Sequence, residues 1–539
     1  MKPQPPVTRM RIAARTSSED GGALADFPML RDQLEAWKAR LAEVDWIPWV
    51  IIGLAAFLRF FLLGIKPPHF DEGINGWFVD AHIIKEGFYK YDPTNYHGPL
   101  HFYALLLSQT LFGRNLWALR LPVVLVSIAC VRLMMKFEPF VGRTVSRMAA
   151  LAMAVSPGFV FYGRYSIHEV WLVLFSLLFI LGLLGLWKFG TPNYLWCTGM
   201  GLAGMILTKE TYVIHLGCAL IAVPVLVVSN ALDPLPDARR AKQTWDYFDL
   251  AVVLATGIAV VVFFYSGTFF HWSGVKGLYQ AYTAWFATGH EGHGHEKPWH
   301  YWVSKLIVRY EWPVLAGLIL CLSHQRFKNV SLRYLAIYGV GTLIAYSIVH
   351  YKTPWCIVSF IWPFLFIFGA APLVIPLRYR LTTYVISATV LCASLGSTIW
   401  LNYFHCTTDS EPYVYVQTYN DIYKLTDPLF TLVRRNPVYY QLTGHIIRTS
   451  AYPLPWMLDD FPHIGYYEQE NLPAKLDAAF LLVQEDRIAE VESKLHEAYY
   501  TEPLRIRAYQ DLSKVYFNAK IFKDIFPGRR PEFKGKGSG

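Results

Sequence analysis

Long apolar segments, each close to the length of a membrane-crossing helix, recur along the chain from Trp46 to about Phe404. A helix needs about 20 mainly apolar residues to cross a bilayer. The pattern predicts a polytopic α-helical membrane protein with about eleven transmembrane helices. The predicted spans are 46–64, 116–136, 147–163, 169–188, 193–209, 212–229, 249–270, 304–323, 331–349, 356–377 and 381–403.

The segment Gly98–Gly113 is the ambiguous case, because it has an apolar face but is short and contains His101 and Gln109. If it does not cross, the basic loops fall on the same side as the basic N-terminus, as the positive-inside rule requires. We therefore predict an interfacial helix that lies in the outer leaflet. The basic residues in question are Lys136, Arg143, Arg147, Lys188, Arg239, Arg240, Lys242, Arg326, Lys328, Arg378 and Arg380.

The composition supports membrane insertion, with 54% hydrophobic and 17% charged residues and a mean hydropathy of +0.28. The net charge of +9 needs no nucleic-acid partner, since much of it lies in the loops between helices. Residues 1–45 are polar and basic without an apolar signal-peptide core, which predicts a cytoplasmic N-terminal segment. The predicted location is the cell membrane, with many passes. Most cysteines fall in apolar segments without a CxxC motif, so neither a disulfide framework nor a thiolate metal site is expected.

The residues after the last apolar segment have an ordinary soluble composition. Ala478–Val483 has the pattern of a buried strand, Glu485–His496 that of an amphipathic helix, and Thr501–Tyr509 that of another strand. We predict a small extracytoplasmic α/β domain over 405–527. The basic, glycine-rich segment 528–539 is predicted to be a disordered tail.

The adjacent acids Asp71 and Glu72 lie in the loop 65–115, which follows the first span of the membrane domain 46–404. They suit a solvated turn or a helix N-terminal cap. A carboxylate there also suits a general base that removes a proton from an acceptor hydroxyl. The histidines, aromatic residues and Pro99 that follow favour the functional interpretation.

Under the predicted topology, the polar and titratable loops collect on one face of the membrane. This pattern predicts an extracytoplasmic active face. The segments that emerge there, besides the acidic pair, are His97–His101, Arg164–Glu169, Lys209–Glu210, His290–His300 and His350–Trp355.

Two pairs of charged residues interrupt apolar segments at the depth of this face. Arg164 and Glu169 are placed to form an interfacial ion pair, or Arg164 is placed to bind a phosphate through two parallel hydrogen bonds. Lys209 and Glu210 separate two helices, where charged residues are usually either functional or paired within the helix bundle.

Lys352 is a candidate to neutralise a phosphate, while a lysine extending to the interface beside the interfacial Trp355 is the alternative. The segment with His290, His293 and His295 suits a divalent metal site. Its glycines and short spacing also suit a mobile loop.

Several motifs resemble the GT-C superfamily of polyprenyl-phosphate-sugar glycosyltransferases, which includes the protein O-mannosyltransferases and the aminoarabinose lipid A transferases. The likeness covers most of the chain from Trp46 onward and is nearest to the "flippase activity-associated" branch. The motifs are the acidic pair after the first span, YHGPLHFY, Arg120-Leu-Pro, GRYSIHE, YKTPW and YPLPW.

The resemblance implies transfer of a sugar from a polyprenyl-phosphate carrier to a lipid, glycan or protein acceptor at the outer face. It assigns Asp71 as the base with Glu72 as its neighbour, and it places the phosphate among Arg164, Lys209 and Lys352. His97-Gly98-Pro99-Leu100 departs from the mannosyltransferases' His-Pro-Pro-Leu, so their acceptor class is not carried over. The full set of candidate substrate-binding residues is His97, His101, Arg164, Glu169, Lys209, Glu210, Lys352 and Trp355.

Two other classes of function compete with this hypothesis. A transporter or flippase component should show broken helices and binding groups near the middle of the membrane, often with inverted repeats. A non-catalytic assembly subunit would not need Asp71. The concentration of polar groups at one face favours the enzyme.

Overall fold

The computed structural model describes residues 44–95, 97–235, 240–291, 294–323, 327–468 and 471–536. Nearly all of the predicted N-terminal segment 1–45 lies outside these residues.

Helices dominate the described chain up to Phe404. They are Ile47–Phe60, Phe70–Val79, Leu100–Phe112, Leu116–Met135, Glu138–Val141, Arg143–Val155, Pro157–Tyr162, Glu169–Lys188, Pro192–Ile206, Tyr212–Leu232, Tyr247–Tyr265, Ser273–Glu291, Val308–Tyr310, Trp312–Cys321, Val330–Ile348, Ile357–Gly369, Ala371–Val374 and Arg380–Ile399. Short π-helical turns cover Asp80–Ile84, Trp302–Ile307 and Trp400–Phe404. The predicted helical membrane fold is confirmed.

By length and composition, five helical stretches in the described residues are long and apolar enough to cross a membrane. They are Leu116–Val141, Glu169–Lys188, Tyr212–Leu232, Tyr247–Tyr265 and Leu377–Phe404. Of the other predicted spans, 331–349 is found at its full length as Val330–Ile348 but is not among these five. The rest are helical but shorter, or are divided into two pieces. The number of eleven spans therefore stays a prediction.

Glu311 accounts for two of the interruptions. Its backbone leaves the helical region (φ −103°, ψ 59°) and separates Val308–Tyr310 from Trp312–Cys321. Its buried carboxylate accepts hydrogen bonds from Ser156 Oγ (2.6 Å) and from the backbone N–H of Gly158 (2.7 Å). It thus satisfies one backbone donor and the Ser156 hydroxyl at the start of Pro157–Tyr162, where the predicted span 147–163 divides.

Helix Ile357–Gly369 is at the centre of the membrane domain, because all thirteen of its residues are buried. It packs against Arg143–Val155, Trp312–Cys321 and Val330–Ile348. A helix that is apolar on every side is suited to this central position.

The ambiguous segment Gly98–Gly113 forms helix Leu100–Phe112. Its 13 residues would extend only about 20 Å, less than the thickness of the bilayer core. Its N-terminus is held by hydrogen bonds from Gly98 N to Thr208 O and from Leu100 N to Leu207 O. A Cβ at Gly98 would lie 2.2 Å from the Leu207 carbonyl, so this close approach requires glycine. This explains why glycine stands where the mannosyltransferase motif has proline.

Helix Phe70–Val79, which we call the acidic-pair helix, was not predicted from the sequence. His69 is its N-cap, and Glu72 completes a capping box by accepting the backbone N–H of His69 (2.9 Å). The side chain of His69 accepts the backbone N–H of Asp71 (3.1 Å). These bonds satisfy donors that the first helical turn leaves free.

The C-terminal domain contains a five-stranded sheet formed by β1 (Gly444–Ile447), β2 (Ile464–Tyr467), β3 (Phe480–Gln484), β4 (Tyr499–Leu504) and β5 (Ser513–Asn518). The strand order is β2-β1-β3-β5-β4. Strands β2, β1 and β3 are parallel, whereas β5 and β4 are antiparallel to their neighbours. Helices Tyr423–Arg435, Leu454–Met457 and Ile488–Glu492 complete the domain. The two predicted strands are found as β3 and β4, while the predicted helix 485–496 is reduced to Ile488–Glu492.

The tail differs from its predicted disorder over the described residues 528–536. Phe533 exchanges backbone hydrogen bonds with Tyr499 of β4. Arg529 pairs with Glu502 of β4 and with Glu532. The sheet edge gives this polar segment partners that its composition does not reveal.

The C-terminal domain packs on the acidic-pair helix through two glycines. A Cβ at Gly73 would lie 2.5 Å from Pro453 Cα, and one at Gly76 would lie 2.5 Å from Trp456 Cδ1. Both partners belong to the YPLPW motif at Leu454–Met457 and its N-cap. The glycines therefore allow the domain to contact the helix that carries Asp71.

We expect Gly73→Ala to destabilise the protein by about 1–3 kcal/mol, because the added methyl group meets backbone that cannot move freely. Thermal unfolding of the detergent-purified protein measures the loss. The matched control is Gly217→Ala, since a Cβ there has nothing within 4 Å. Equal stability of the two variants would contradict the close contact.

Candidate functional site

A cavity of about 630 Å³, which we call the main cavity, lies beside the acidic-pair helix. Its polar lining residues include Asp71, Asn75, His97, His168, Glu169, Lys209, Glu210, Thr211 and His350. Its apolar lining residues include Ile74, Ile167, Ile214, Trp285, Phe286, Ile348, Val349 and Trp355. A mainly apolar cavity with a few polar groups is typical of a ligand site.

The two acids of the pair point in different directions. Asp71 lines the main cavity, and 29% of its side chain is exposed. Glu72 is fully buried and forms two short hydrogen bonds with Arg120, from Nε to Oε1 (2.8 Å) and from Nη2 to Oε2 (2.7 Å). Of the two carboxylates, Asp71 is thus the one available to a ligand.

Glu72 organises the backbone around Asp71. It also accepts the backbone N–H of Ser166 at 2.9 Å. Burial alone would raise the pKa of Glu72, but the charge and hydrogen bonds of Arg120 outweigh burial and lower this pKa to about 2. Arg120 donates further hydrogen bonds to the carbonyls of Leu63, Lys66 and Pro67, just before the helix. Glu72 therefore has a capping role, as the third helical residue in the capping box whose N-cap is His69.

Lys209 joins two of the predicted site carboxylates. Its Nζ lies 2.7 Å from Glu169 Oε1 and 3.8 Å from Glu210 Oε1. Burial favours the neutral amine, but the two carboxylates outweigh it and raise the pKa of Lys209 well above its ordinary value. Glu169 therefore pairs with Lys209 and not with Arg164.

His97 extends this group, since its Nδ1 lies 3.0 Å from Glu210 Oε2. Burial would raise the pKa of Glu210, but Lys209 and His97 lower it. The His97 ring lies 4.6 Å from that of His168, which also lines the main cavity. The structure brings Glu169, Lys209, Glu210 and His97 together, and we call these four residues the Lys209 cluster.

His101 is behind the cavity wall. It is fully buried, and its Nδ1 accepts a hydrogen bond from Trp171 Nε1 (3.1 Å) while Nε2 lies 3.2 Å from Ser166 Oγ. Burial lowers the pKa of His101 to about 3. A neutral imidazole with both nitrogens occupied supports the fold near Glu72 and is not available to a ligand.

Arg164 does not converge with Lys209 and Lys352, in contrast to the sequence-based expectation. Its guanidinium donates to the carbonyls of Leu58, Phe61 and Leu62 at 2.6–3.0 Å. These carbonyls are at the C-terminal end of Ile47–Phe60, where the free acceptors of a helix favour a cation. Arg164 holds the first helix in place.

Lys352 is also directed at the backbone. Its Nζ donates to the carbonyls of Val349 and Lys297, and it is not among the described residues that line the main cavity. Burial lowers the pKa of Lys352. Trp355, in contrast, lines the main cavity and lies 5.8 Å from the ring of His69.

The histidine-rich loop gives no metal site within the described part of the chain, where no group of three His, Cys, Asp or Glu side chains is placed to hold an ion. His295 Nδ1 lies 2.6 Å from the Tyr415 hydroxyl. His293 and the side chain of His290 lie outside the described residues.

Two residues near the site, Arg120 and Arg507, have no site role in the sequence-based prediction. Arg120 belongs there only to the Arg-Leu-Pro motif, although a charge at the start of an apolar segment signals a buried partner. Arg507 of the C-terminal domain stacks on Phe70, with 3.9 Å from Cζ to the ring centroid. Its contact with the acidic-pair helix depends on how the chain folds and has no signal in the local sequence.

Comparison with known proteins supports the resemblance. Residues 96–264 match the family described as dolichyl-phosphate-mannose-protein mannosyltransferase, PMT_2. This segment contains the whole Lys209 cluster but not Asp71. No curated protein matches the chain.

ArnT, a protein of known structure, shares the fold. The apo structure of ArnT from Cupriavidus metallidurans is 14% identical, with 90% of this chain and 99% of that one covered and a TM-score of 0.57. The structure of the same ArnT bound to undecaprenyl phosphate is also 14% identical, with 88% and 98% covered and a TM-score of 0.58. The oligosaccharyltransferase AglB from Archaeoglobus fulgidus is 12% identical, with 88% and 74% covered and a TM-score of 0.45.

The likeness to ArnT extends over nearly the full length of both chains and establishes the overall fold. The family match adds a sequence pattern across the segment that forms one wall of the main cavity. The chain therefore has the overall fold of ArnT, and its residues 96–264 carry the sequence pattern of the dolichyl-phosphate-mannose-protein mannosyltransferase family.

Proposed function

We propose that the protein transfers a sugar from a polyprenyl-phosphate carrier to an acceptor hydroxyl, with inversion at the anomeric carbon and Asp71 as the general base. The observation that carries the proposal is the position of Asp71. It lines a largely apolar cavity that also contains a buried lysine, while its neighbour Glu72 is committed to Arg120. Asp71 is thus free to accept a proton.

The lining of the main cavity suits a lipid-linked sugar. Isoleucine, valine and aromatic side chains offer contacts for the isoprenoid chain, and the polar residues offer partners for the sugar and phosphate. ArnT, which shares the fold, binds undecaprenyl phosphate. We extend this carrier class to the present chain.

Lys209 is the proposed contact for the phosphate. Among the described residues, it is the sole lysine or arginine that lines the main cavity. Glu169 and Glu210 hold its ammonium group in a fixed position, and an ammonium has three donors to share. A fixed cation stabilises the negative charge that the phosphate gains as it leaves.

In the proposed reaction, the acceptor oxygen attacks the anomeric carbon from the side opposite the phosphate. The acceptor proton passes to the Asp71 carboxylate as the new carbon–oxygen bond forms. The bond from the anomeric carbon to the phosphate oxygen breaks, and its electron pair leaves with the lipid phosphate. Asp71 later returns the proton to water.

The reaction is proposed to take place at the extracytoplasmic face of the cell membrane. The support is the positive-inside pattern, together with a helix Leu100–Phe112 that is too short to span. Cysteine accessibility at Ser323 and Ser410 tests this topology. We expect the two positions on opposite sides of the membrane, and labelling of both from one side would contradict it.

The decisive test is to incubate the purified protein with radiolabelled polyprenyl-phosphate sugars and to measure released polyprenyl phosphate. Release that requires the protein, together with a sugar product whose anomeric configuration is inverted relative to the donor, supports the proposal. No release with any donor, while the protein moves such lipids between leaflets of a vesicle, would favour the flippase-associated alternative.

We expect Lys209→Gln to weaken donor binding about ten- to a hundredfold, since a hydrogen bond from a charged group to phosphate is lost. Lys352→Gln is the matched control, because this lysine is also a buried residue but bonds to backbone carbonyls. Binding of a fluorescent polyprenyl phosphate to the folded fraction is the measurement. Equal affinity of the two variants for the polyprenyl phosphate would exclude Lys209 as a phosphate contact.

A further inference from the structure

Two more cavities lie at the C-terminal domain, outside the main cavity. The first, which we call the aromatic cleft, measures about 380 Å³ and lies between this domain and the acidic-pair helix. Trp77 of that helix lines it together with Tyr452 and Tyr466 of the C-terminal domain. Its charged lining residues are Lys85, Asp459 and Glu468.

The second cavity, which we call the strand-end pocket, measures about 580 Å³. It is formed where the three parallel strands end. Its lining residues are Arg448 and Thr449 after β1, Glu468 and Asn471 after β2, and Gln484, Asp486 and Arg487 at the end of β3. In sheets with parallel strands, ligands bind in the crevice outside the carboxyl ends of the strands.

Glu468 lines both cavities, so the aromatic cleft and the strand-end pocket form one continuous surface. This surface combines two kinds of lining. One end has aromatic rings, and the other has the planar amide, carboxylate and guanidinium groups of Asn471, Asp486 and Arg487.

Its charges are balanced. Lys85, Arg448 and Arg487 are cationic, and Asp459, Glu468 and Asp486 are anionic. Lys85 Nζ already lies 2.9 Å from Asp459 Oδ1, so this pair is neutral overall. A surface with equal numbers of both signs gives no net attraction for a phosphate or a polyamine.

A neutral oligosaccharide fits this chemistry. Each sugar ring has an apolar C–H face that stacks on an aromatic side chain, and a rim of hydroxyls that needs both donors and acceptors. Carboxylates and amide oxygens accept from hydroxyls, while guanidinium and ammonium groups donate to them. The aromatic cleft supplies the stacking partners, and the strand-end pocket supplies the hydrogen-bonding groups.

The surface also reaches the turn of helix that carries Asp71. The Tyr452 ring centroid lies 6.0 Å from that of Trp77 and 5.9 Å from that of Phe70, the residue before Asp71. Trp77 follows Asp71 by six positions, which is about 9 Å along a helix axis. A glycan bound along this surface has its end at the helix that presents the proposed base.

We propose that the acceptor is a neutral oligosaccharide, bound along the aromatic cleft and the strand-end pocket of the C-terminal domain. This inference rests on the proposed function and specifies its acceptor. It assigns the C-terminal domain to acceptor recognition, while the main cavity receives the lipid donor.

The test is binding of the full-length, detergent-purified protein to an array of oligosaccharides with hexose, pentose, amino-sugar and uronic-acid chains. We expect binding to one class of uncharged chains and about tenfold weaker binding by Tyr466→Ala, whose ring is partly exposed in the cleft. Tyr509→Ala is the matched control, because Tyr509 is a fully exposed tyrosine of the same domain outside both cavities. No binding to any glycan, or equal loss by both variants, overturns the inference.

Donor turnover separates this inference from the proposed function. Without a glycan acceptor, we expect Tyr466→Ala to hydrolyse the donor and release polyprenyl phosphate at the slow rate of the wild-type protein. With the glycan present, we expect this variant to lose sugar transfer to it. Asn471→Ala tests the strand-end pocket independently and should also weaken glycan binding. Transfer to an unglycosylated peptide or to a lipid at the wild-type rate by both variants would show a different acceptor class, with the transferase activity intact.

Discussion

Asp71→Asn should lower the turnover of sugar transfer by about a hundred- to ten-thousandfold while the protein folds normally. This is the range that loss of a general base gives. Asparagine keeps the size of the side chain and its place in the main cavity, but it cannot take the proton from the acceptor hydroxyl. The backbone N–H of residue 71 still bonds to His69, so the start of the helix is preserved.

The measurement is the initial rate of polyprenyl-phosphate release from a labelled donor, with the folded fraction followed by size exclusion. Asp92→Asn is the control, because Asp92 lies in the same loop and accepts hydrogen bonds from Thr94 at an exposed position. We expect it to turn over at the wild-type rate. Near-normal transfer by Asp71→Asn would exclude Asp71 as the base, and a chain with no transfer in any variant would be better described as a flippase-associated partner.

Glu72→Gln should destabilise the protein by about 3–5 kcal/mol, because it leaves the Arg120 guanidinium buried without a counter-charge. Both side chains are fully buried, so water cannot compensate for the lost carboxylate. The substitution also weakens the hydrogen bonds from the backbone of His69 and Ser166. The turn that orients Asp71 should loosen as a result, and turnover should fall with the folded fraction.

The same pair predicts a direction for acid stability. The pKa of Glu72 is about 2 in the folded protein and 4.5 for an ordinary glutamate. The unfolded chain therefore binds the proton first as the pH falls. The stabilisation by Glu72 is complete above about pH 4.5 and is lost as the pH falls towards 2.

Thermal unfolding in detergent between pH 7 and pH 3 measures both effects. The wild-type protein should lose stability below pH 4.5 more steeply than Glu72→Gln, which has no carboxylate at this position to titrate. Glu490→Gln is the control, since Glu490 pairs with Lys494 and Arg487 at an exposed surface, where ion pairs contribute little. A loss for Glu72→Gln no larger than for this control would contradict the structural role of the pair.

The sequence determined the membrane helices, because a long apolar segment has a low free energy only inside a bilayer and as a helix. Glu169–Lys188 has the bounds that its hydropathy predicts. Strand β3 was predicted from a short, continuous apolar segment, and all five of its residues are buried in the structure. These features depend on the composition of one continuous segment.

Partner choice among the charged residues was decided by the tertiary structure alone. Arg164 and Lys209 looked equivalent in the sequence, as cations at the ends of apolar segments. The fold places carbonyls of the first helix at Arg164 and two carboxylates at Lys209. Electrostatic pairing depends on distance in space, and the sequence contains no measure of it.

The different roles of Asp71 and Glu72 also depend on contacts between distant parts of the chain. Adjacent helical residues point about 100° apart, so the sequence could predict that only one faces a ligand. Which one does so depends on Arg120, 48 positions along the chain, and on the backbone of Ser166. The local sequence fixed the chemistry of the acidic pair, while long-range contacts decided that Glu72 supports the helix and Asp71 faces the cavity.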